Sequence, residues 1–196
     1  MQPAHPQPVH PQPVHRQPVH HQRTNMIPPQ QQSQSTLPEC LEKLPDPEHE
    51  FYNLFSEYHN CYAYAFQDRN INFTSKPQPG YKAGKPALRQ RDYTCKNFQD
   101  AIKADYPDTV QEEIGCPCGY SRVFLALDTE GNFQDYHFYR QDENGLWSHK
   151  PGSMPVQHRD YSGKRIYNPF DADRHDHENR DIHYNIPCGF MCVKRQ

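Results

Sequence analysis

The sequence lacks any long apolar run, and this absence limits where the protein can act. No stretch approaches the roughly 18 consecutive apolar residues of a membrane-spanning helix, so we expect no membrane contact. The N-terminus also lacks the apolar segment of a secretory signal, which predicts a soluble protein, either intracellular or associated with a virion. Phosphate-binding glycine motifs and serine-centred nucleophile elbows are missing too, and we expect no cofactor.

An excess of positive charge is also missing. The chain has 21 lysines and arginines against 24 acidic residues. Two of the arginines lie in the first 38 residues, so the remainder carries 19 basic and 24 acidic side chains. A surface with this balance does not follow a phosphate backbone, and we expect no nucleic-acid partner.

Residues 1–38 have a composition of their own. They contain nine of the 20 prolines, five histidines and no acidic residue, and a unit HPQPV repeats at 5–9 and 10–14. Such a segment buries too little apolar surface to offset its ordering entropy, so it is predicted to be a disordered tail. Its prolines could bind a proline-recognition partner.

Residues 39–196 are predicted to form one domain in which helices precede strands. Asn60 and Thr94 are good helix N-caps, and apolar residues recur at helical spacing after each of them. The predicted helices cover 50–58, Cys61 to about 68, and 94–107, with one continuous helix over 49–68 as the alternative to the first two.

The second half has the pattern of an antiparallel sheet. The turns TEGN and DENG separate β-rich runs and predict a meander. The strands are expected at 121–128, 133–141 and 146–152, with 163–169 and 186–193 as edge or closing strands. This order predicts an α+β fold. The loop 75–86 could border a substrate cleft or serve only as an ordered connection.

Cys61 is the candidate nucleophile because it begins a predicted helix. A thiol becomes reactive when its pKa falls, and a helix N-terminus with a nearby imidazolium lowers that pKa. The sheet must then supply the base. Alternation places His137 and Tyr139 on one face of a strand, and His149 follows on the next strand. We prefer His137 as base and acid, with His149 as the alternative.

A third group would orient the imidazole, and Asn168 is the preferred candidate over Asp135 and Asp171. The competing hypothesis is a protein without catalysis. Free cysteine is among the most buried residue types, and a histidine in the middle of a strand can be a satisfied core side chain. The chain would then be a structural or binding protein.

The run NCYAYA, with Cys61, Tyr64 and Ala65, resembles the start of the catalytic helix in papain-like proteins of the NlpC/P60 and CHAP branch. The run DYHFYR stands where that branch has its histidine strand, and the longer block DYHFYRQDENGLWSHKPG is similar to a segment of uncharacterised viral and bacterial proteins. The resemblance implies a papain-like fold and a cysteine peptidase or amidase. Its substrate would be a peptide or another amide, attacked by Cys61 with His137 protonating the leaving amine.

The other cysteines leave further alternatives open. Without a secretory signal, they are predicted to be free thiols, metal ligands or a nucleophile rather than a disulfide framework. A thiol-rich zinc site is possible in principle, although C-x-C at Cys116 and Cys118 is tighter than the usual ligand spacing. In an oxidising compartment, Cys116 or Cys118 could instead form a disulfide with Cys188 or Cys192. His175 and His177 are expected in a solvated acidic loop.

Overall fold

The computed structural model describes residues 49–71, 74–112, 115–130, 134–178 and 182–195. The predicted tail and the segment up to residue 48 lie outside this part of the chain. The described helices are α1 (His49–Leu54), α2 (Cys61–Ala65) and α3 (Cys95–Asp105). The described strands are β1 (Val110–Gln111), β2 (Tyr120–Asp128), β3 (Asp135–Gln141), β4 (Trp147–His149) and β5 (Ile186–Lys194).

The helix N-termini follow from local side-chain chemistry. The Asn60 side chain accepts a hydrogen bond from Ala63 N at 3.1 Å, which starts α2 at Cys61 and separates it from α1. The prediction of two helices is therefore confirmed, and the continuous alternative over 49–68 is wrong. Helix α2 is shorter than predicted because Gln67 adopts a left-handed conformation with φ of 58°.

Helix α3 is a longer amphipathic helix at its predicted place. The Thr94 side chain accepts a hydrogen bond from Asn97 N at 3.2 Å and so caps the N-terminus. Phe98 and Ile102 lie one turn apart and are fully buried. The burial of this stripe holds α3 against the sheet.

The strands form one antiparallel sheet in the order β1-β5-β2-β3-β4. The predicted β2–β3–β4 meander is confirmed. Strand β5 was expected as an edge or closing strand; it pairs along almost the whole of β2, and the two residues of β1 pair with its other side. A bulge after Leu125 shifts the β5 register, and Gly189 supports it with φ of 91°.

Residues 163–169 do not form the predicted strand. Ile166 makes a single antiparallel bridge to Trp147, and Arg165 makes another to Arg159. These bridges hold a loop layer beside β4. The mixed architecture of helices and an antiparallel sheet is an α+β fold, as predicted.

Each face of the sheet buries its own core. One face packs against α2 and α3 through a cluster that includes Cys61, Phe98, Val123, Leu125, Tyr136 and Phe138. The opposite face packs against the loops after β4 through Phe124, Ala126, Tyr139, Trp147, Ile166 and Tyr184. Within the described residues, no helix combines the length and apolar character needed to cross a membrane.

Candidate functional site

Cys61 lies in the core between α2 and the sheet. The residue is 5% exposed, and its thiol lies 3.8 Å from the backbone oxygen of Tyr136, to which it donates. Burial raises the pKa of the Cys61 thiol to about 12, with a smaller contribution from Asp135. Cys61 is therefore a protonated thiol at neutral pH, which is the opposite of an activated nucleophile.

The loop 75–86 is held over this region by hydrogen bonds. Asn60 Nδ2 donates to Pro77 O at 2.7 Å, and Tyr136 Oη donates to Gln78 Oε1 at 2.6 Å. Gly80 N donates to Asp105 Oδ2 at 2.7 Å, which ties the loop to the end of α3. These bonds make the loop an ordered connection, and whether it also borders a substrate cleft stays a prediction.

His137 lies on the other face of β3 from Cys61. Tyr136 and Phe138 point into the helix-side core with Cys61. The His137 ring instead lies 5.0 Å from the ring centroids of Tyr139 and Tyr184, which belong to the loop-side core. Because successive side chains of a strand point to opposite faces, His137 packs in the loop-side core, whereas Cys61 packs in the helix-side core.

His137 and His149 form a buried hydrogen-bonded pair. His137 Nε2 lies 2.7 Å from His149 Nδ1, and His149 Nε2 lies 3.0 Å from Arg159 O. A carbonyl oxygen only accepts, so His149 carries its proton on Nε2 and accepts at Nδ1. His137 then donates from Nε2, and both rings are neutral.

Burial keeps this pair neutral. It holds the pKa of His137 well below its ordinary range, with a smaller repulsive contribution from His149. Burial also lowers the pKa of His149 to about 4. The pair joins β3, β4 and the following loop through these hydrogen bonds. We call His137 and His149 the histidine clamp.

Asn168 lies on the surface, away from the histidine pair. Its Nδ2 donates to Asp171 Oδ2 at 2.9 Å, and its Oδ1 accepts from Phe170 N at 3.1 Å. These bonds form a local turn. The structure therefore does not bring Cys61, His137 and Asn168 together as a triad.

Most of the cysteines are joined in disulfides, which corrects the expectation of free thiols and of a thiol-rich metal site. Cys95 is bonded to Cys188, and Cys116 is bonded to Cys192. Cys118 is disulfide-bonded as well. Among the described residues Cys61 is the free cysteine. The Cys116–Cys192 bond is one of the pairings predicted for an oxidising compartment.

The two disulfides fix β5 from both sides of the sheet. Cys95 begins α3 and packs with Cys188 against the helix-side core. Cys192 is paired in register with Arg122, whose guanidinium lies 4.1 Å from the Phe190 ring on the opposite face. On the side of β5 away from β2, only the two residues of β1 form strand pairing within the described part of the chain. The two disulfides add covalent attachment of β5 to the rest of the domain.

Lys150 is a buried cation that the sequence patterns did not reveal. Its Nζ donates to three backbone oxygens, those of Ser56, His59 and Gly152, at 2.8–2.9 Å. An ammonium has three donors, so all of them are used. Lys150 therefore ties the turn between α1 and α2 to the loop that follows β4.

We expect Lys150→Met to lower the free energy of unfolding by about 3 kcal/mol, because it leaves carbonyls without donors in a shielded site. Urea unfolding measured by tryptophan fluorescence checks this value. Lys85→Met is the matched control at an exposed position and is expected to change stability by less than about 0.5 kcal/mol. Equal effects of the two substitutions would contradict a structural role of the Lys150 ammonium.

The described part of the chain is an α+β domain with sealed cores, a neutral histidine clamp and a disulfide-fixed strand. No protein-family model matches it, and no solved structure matches it. The chain is 35% identical over 115 residues to insoluble matrix shell protein 1 of Ruditapes philippinarum. The match covers 59% of this chain and 70% of that protein. The chain therefore belongs to the family of this shell protein.

Proposed function

We propose that this protein is a non-catalytic structural component of an extracellular insoluble matrix. The observation that carries the proposal is the state of the cysteines. Cys95, Cys188, Cys116 and Cys192 are crosslinked, and Cys61 is buried as a protonated thiol. Disulfides of this kind persist in oxidising compartments, which favours an extracellular location over the intracellular one expected from the sequence.

The family relationship supports the same function. The relative is named as a protein of an insoluble shell matrix. A matrix protein has to keep its fold outside the cell over long times, without chaperones. A sheet with covalently fixed β5 and two closed cores suits that requirement, because disulfides destabilise the unfolded chain.

The papain-like fold, with cysteine peptidase or amidase activity, stays a prediction. In its favour, α2 begins at Cys61 and packs against β3, as the resemblance implies. Against it, His137 Nε2 is hydrogen-bonded to His149, and the Cys61 thiol donates to Tyr136 O. Recruitment of a proline-recognition partner by residues 1–38 likewise stays a prediction.

The proposal is tested by locating the protein and measuring the redox state of its cysteines. An antibody against the oxidised chain is used on detergent-insoluble extracellular material and on cytosol from the source organism. We expect the protein in the insoluble material, with the Cys95–Cys188 and Cys116–Cys192 peptides crosslinked in non-reducing mass spectrometry. Recovery from the cytosol with these cysteines reduced would contradict the proposal.

The reactivity of Cys61 separates this function from catalysis. A thiol with a pKa of about 12 has a thiolate fraction of roughly 10⁻⁵ at pH 7, against roughly 3% for an ordinary cysteine. We expect iodoacetamide to alkylate native Cys61 at least about 100-fold more slowly than it alkylates the same residue in urea. Mass spectrometry of the Cys61 peptide measures both rates. Rapid alkylation of the native protein below pH 7 would instead indicate a thiolate–imidazolium pair.

A further inference from the structure

Three potential metal ligands meet at a surface pocket outside the histidine clamp. His49 begins α1, Asp142 follows the end of β3, and His158 lies in the loop after β4. One nitrogen or oxygen atom from each residue lies within 4.8 Å of the other two. The three segments are far apart in sequence, so the fold alone brings them together.

The distances within this cluster suit a bound ion better than direct hydrogen bonds. His49 Nε2 lies 3.7 Å from Asp142 Oδ1, and His158 Nδ1 lies 3.6 Å from Asp142 Oδ2. Both distances are too long for a hydrogen bond. Metal–ligand bonds of about 2.0–2.2 Å in a tetrahedron place neighbouring ligand atoms roughly 3.3–3.6 Å apart. The observed separations, each to a different oxygen of the Asp142 carboxylate, lie at or slightly above the upper end of this range.

Among the residues that the structure describes, the Asp142 carboxylate has no cationic partner other than these histidines, and one ring nitrogen of the cluster has no hydrogen-bond partner. The Asp142 side chain is 5% exposed and, among the described residues, forms no ion pair with lysine or arginine. His49 Nε2 is shielded from solvent and has no hydrogen-bond partner. A buried carboxylate and a buried orphan nitrogen are both costly, and a cation between them would satisfy both.

A chain of hydrogen bonds orients the carboxylate. Tyr64 Oη lies 2.6 Å from Ser148 Oγ, which donates to Asp142 Oδ1 at 2.7 Å. Because Ser148 uses its proton toward Asp142, Tyr64 donates to Ser148. Outer hydrogen bonds of this kind fix the orientation of ligands in metal sites.

The backbone on both sides of the cluster is also held in place. Asp142 belongs to the β3–β4 turn, where its N donates to Leu146 O at 2.7 Å. His158 stands between Gln157 and Arg159, which both form antiparallel bridges. Val156 N donates to Asn53 Oδ1 at 2.7 Å and thereby ties α1 to the His158 segment.

We propose that His49, Asp142 and His158 bind one zinc ion per chain. Two imidazoles and one carboxylate are a donor set that zinc accepts, whereas calcium prefers oxygen ligands alone. The fourth position faces an open pocket of about 450 Å³ that is also lined by Arg165. This position takes water or a small anion. The bound ion joins α1 to the edge of the sheet.

The experiment is a zinc titration of the full oxidised chain, followed by thermal unfolding and by cobalt absorption as a zinc substitute. We expect micromolar zinc to raise Tm by at least about 3 °C, since binding to the native state alone shifts unfolding. Cobalt is expected to give the intense visible bands of a tetrahedral site. Both signals should persist in millimolar calcium.

His158→Ala is the test variant, because the His158 side chain is 42% exposed and its truncation leaves no cavity. It should lose both signals while its metal-free Tm stays near that of the wild type. His177→Ala is the matched control, since His177 also contacts an aspartate, Asp173, at 2.7 Å outside the cluster.

A chain with the five histidines of residues 1–38 replaced by glutamine is expected to keep both signals. The proposal is overturned if zinc leaves Tm unchanged, or if His158→Ala keeps the shift. It is also overturned if the tail replacement abolishes the shift or if calcium prevents it.

Discussion

Replacing Cys95 and Cys188 together by alanine is expected to lower the free energy of unfolding by about 3.5 kcal/mol. The crosslink closes a sequence separation of 93 residues and restricts the unfolded chain. The loop that the Cys95–Cys188 bond closes in the unfolded chain is shorter than this separation, because the Cys116–Cys192 bond already connects the same two segments. A path from 95 to 116, across that bond and back from 192 to 188 covers only about 25 residues, which corresponds to roughly 3.5 kcal/mol.

The same reasoning predicts that the two disulfides are not additive. When the second one is also removed, its full separation of 76 residues is released, and its contribution rises to about 4.5 kcal/mol. The loss of both amounts to about 8 kcal/mol, which is comparable with the whole stability of a typical domain. We therefore expect the reduced protein to unfold at room temperature.

Urea unfolding of the two alanine pairs and of their combination measures these values. Cys61→Ala is the control that removes a cysteine without removing a disulfide. It is expected to cost about 1 kcal/mol through the lost packing of one sulfur atom. If the double variant Cys95→Ala, Cys188→Ala is as stable as the wild type, the prediction is wrong and this disulfide does not stabilise the fold.

Local chemistry in the sequence predicted much of the fold. Asn60 and Thr94 start their helices by accepting backbone hydrogen bonds, an interaction that spans three residues and is readable from sequence. The meander follows from short turns in the same way. The place of β5 depends on pairing with β2 across about 60 residues, and no local pattern specifies it.

The candidate site was predicted less well because it depends on which face each residue occupies. Alternation correctly separated His137 from Tyr136 and Phe138. It did not indicate that α2 packs on the Tyr136 face, where Cys61 donates to Tyr136 O and His137 does not join the same core cluster. His149, the alternative base, turned out to be the hydrogen-bond partner of His137.

The residues that sequence reasoning missed share one property. Lys150 contacts carbonyls about 90 residues away, and His49 meets Asp142 only after the sheet has formed. Single charged or histidine residues carry no spacing signal of their own. The sequence did contain a weak indication of the buried Ser148–Asp142 hydrogen bond. A carboxylate directly after one strand of a hairpin and a serine in the next strand can face each other.

Acidification is expected to destabilise the native protein steeply below about pH 6. In the unfolded chain, His137 and His149 have ordinary pKa values near 6.5 and bind protons as the pH falls. In the native state both stay neutral, and the pKa of His149 is lowered to about 4. The unfolded state then holds up to two more protons, so stability falls by up to about 2.7 kcal/mol per pH unit between about pH 6 and 4.

Other groups near the pair modify this slope. Burial also lowers the pKa of His59 and of His158, and both add to the loss of stability in acid. Asp135 acts in the opposite direction, because burial raises its pKa and the native state binds its proton earlier than the unfolded chain does. Proton uptake by Asp135 in the native state is therefore expected to flatten the slope in acid.

Urea midpoints between pH 7.5 and 4.5 measure the slope, and imidazole NMR signals assign it to residues. The Cε1 proton shifts of His137 and His149 are expected to stay constant down to pH 5, while the same chain in urea titrates near 6.5. A proton added to His149 at Nδ1 would set a donor against the Nε2–H of His137. Titration of either signal near pH 6.5 in the folded protein would contradict the neutral clamp. It would also restore His137 as an imidazole able to exchange protons in the range that catalysis requires.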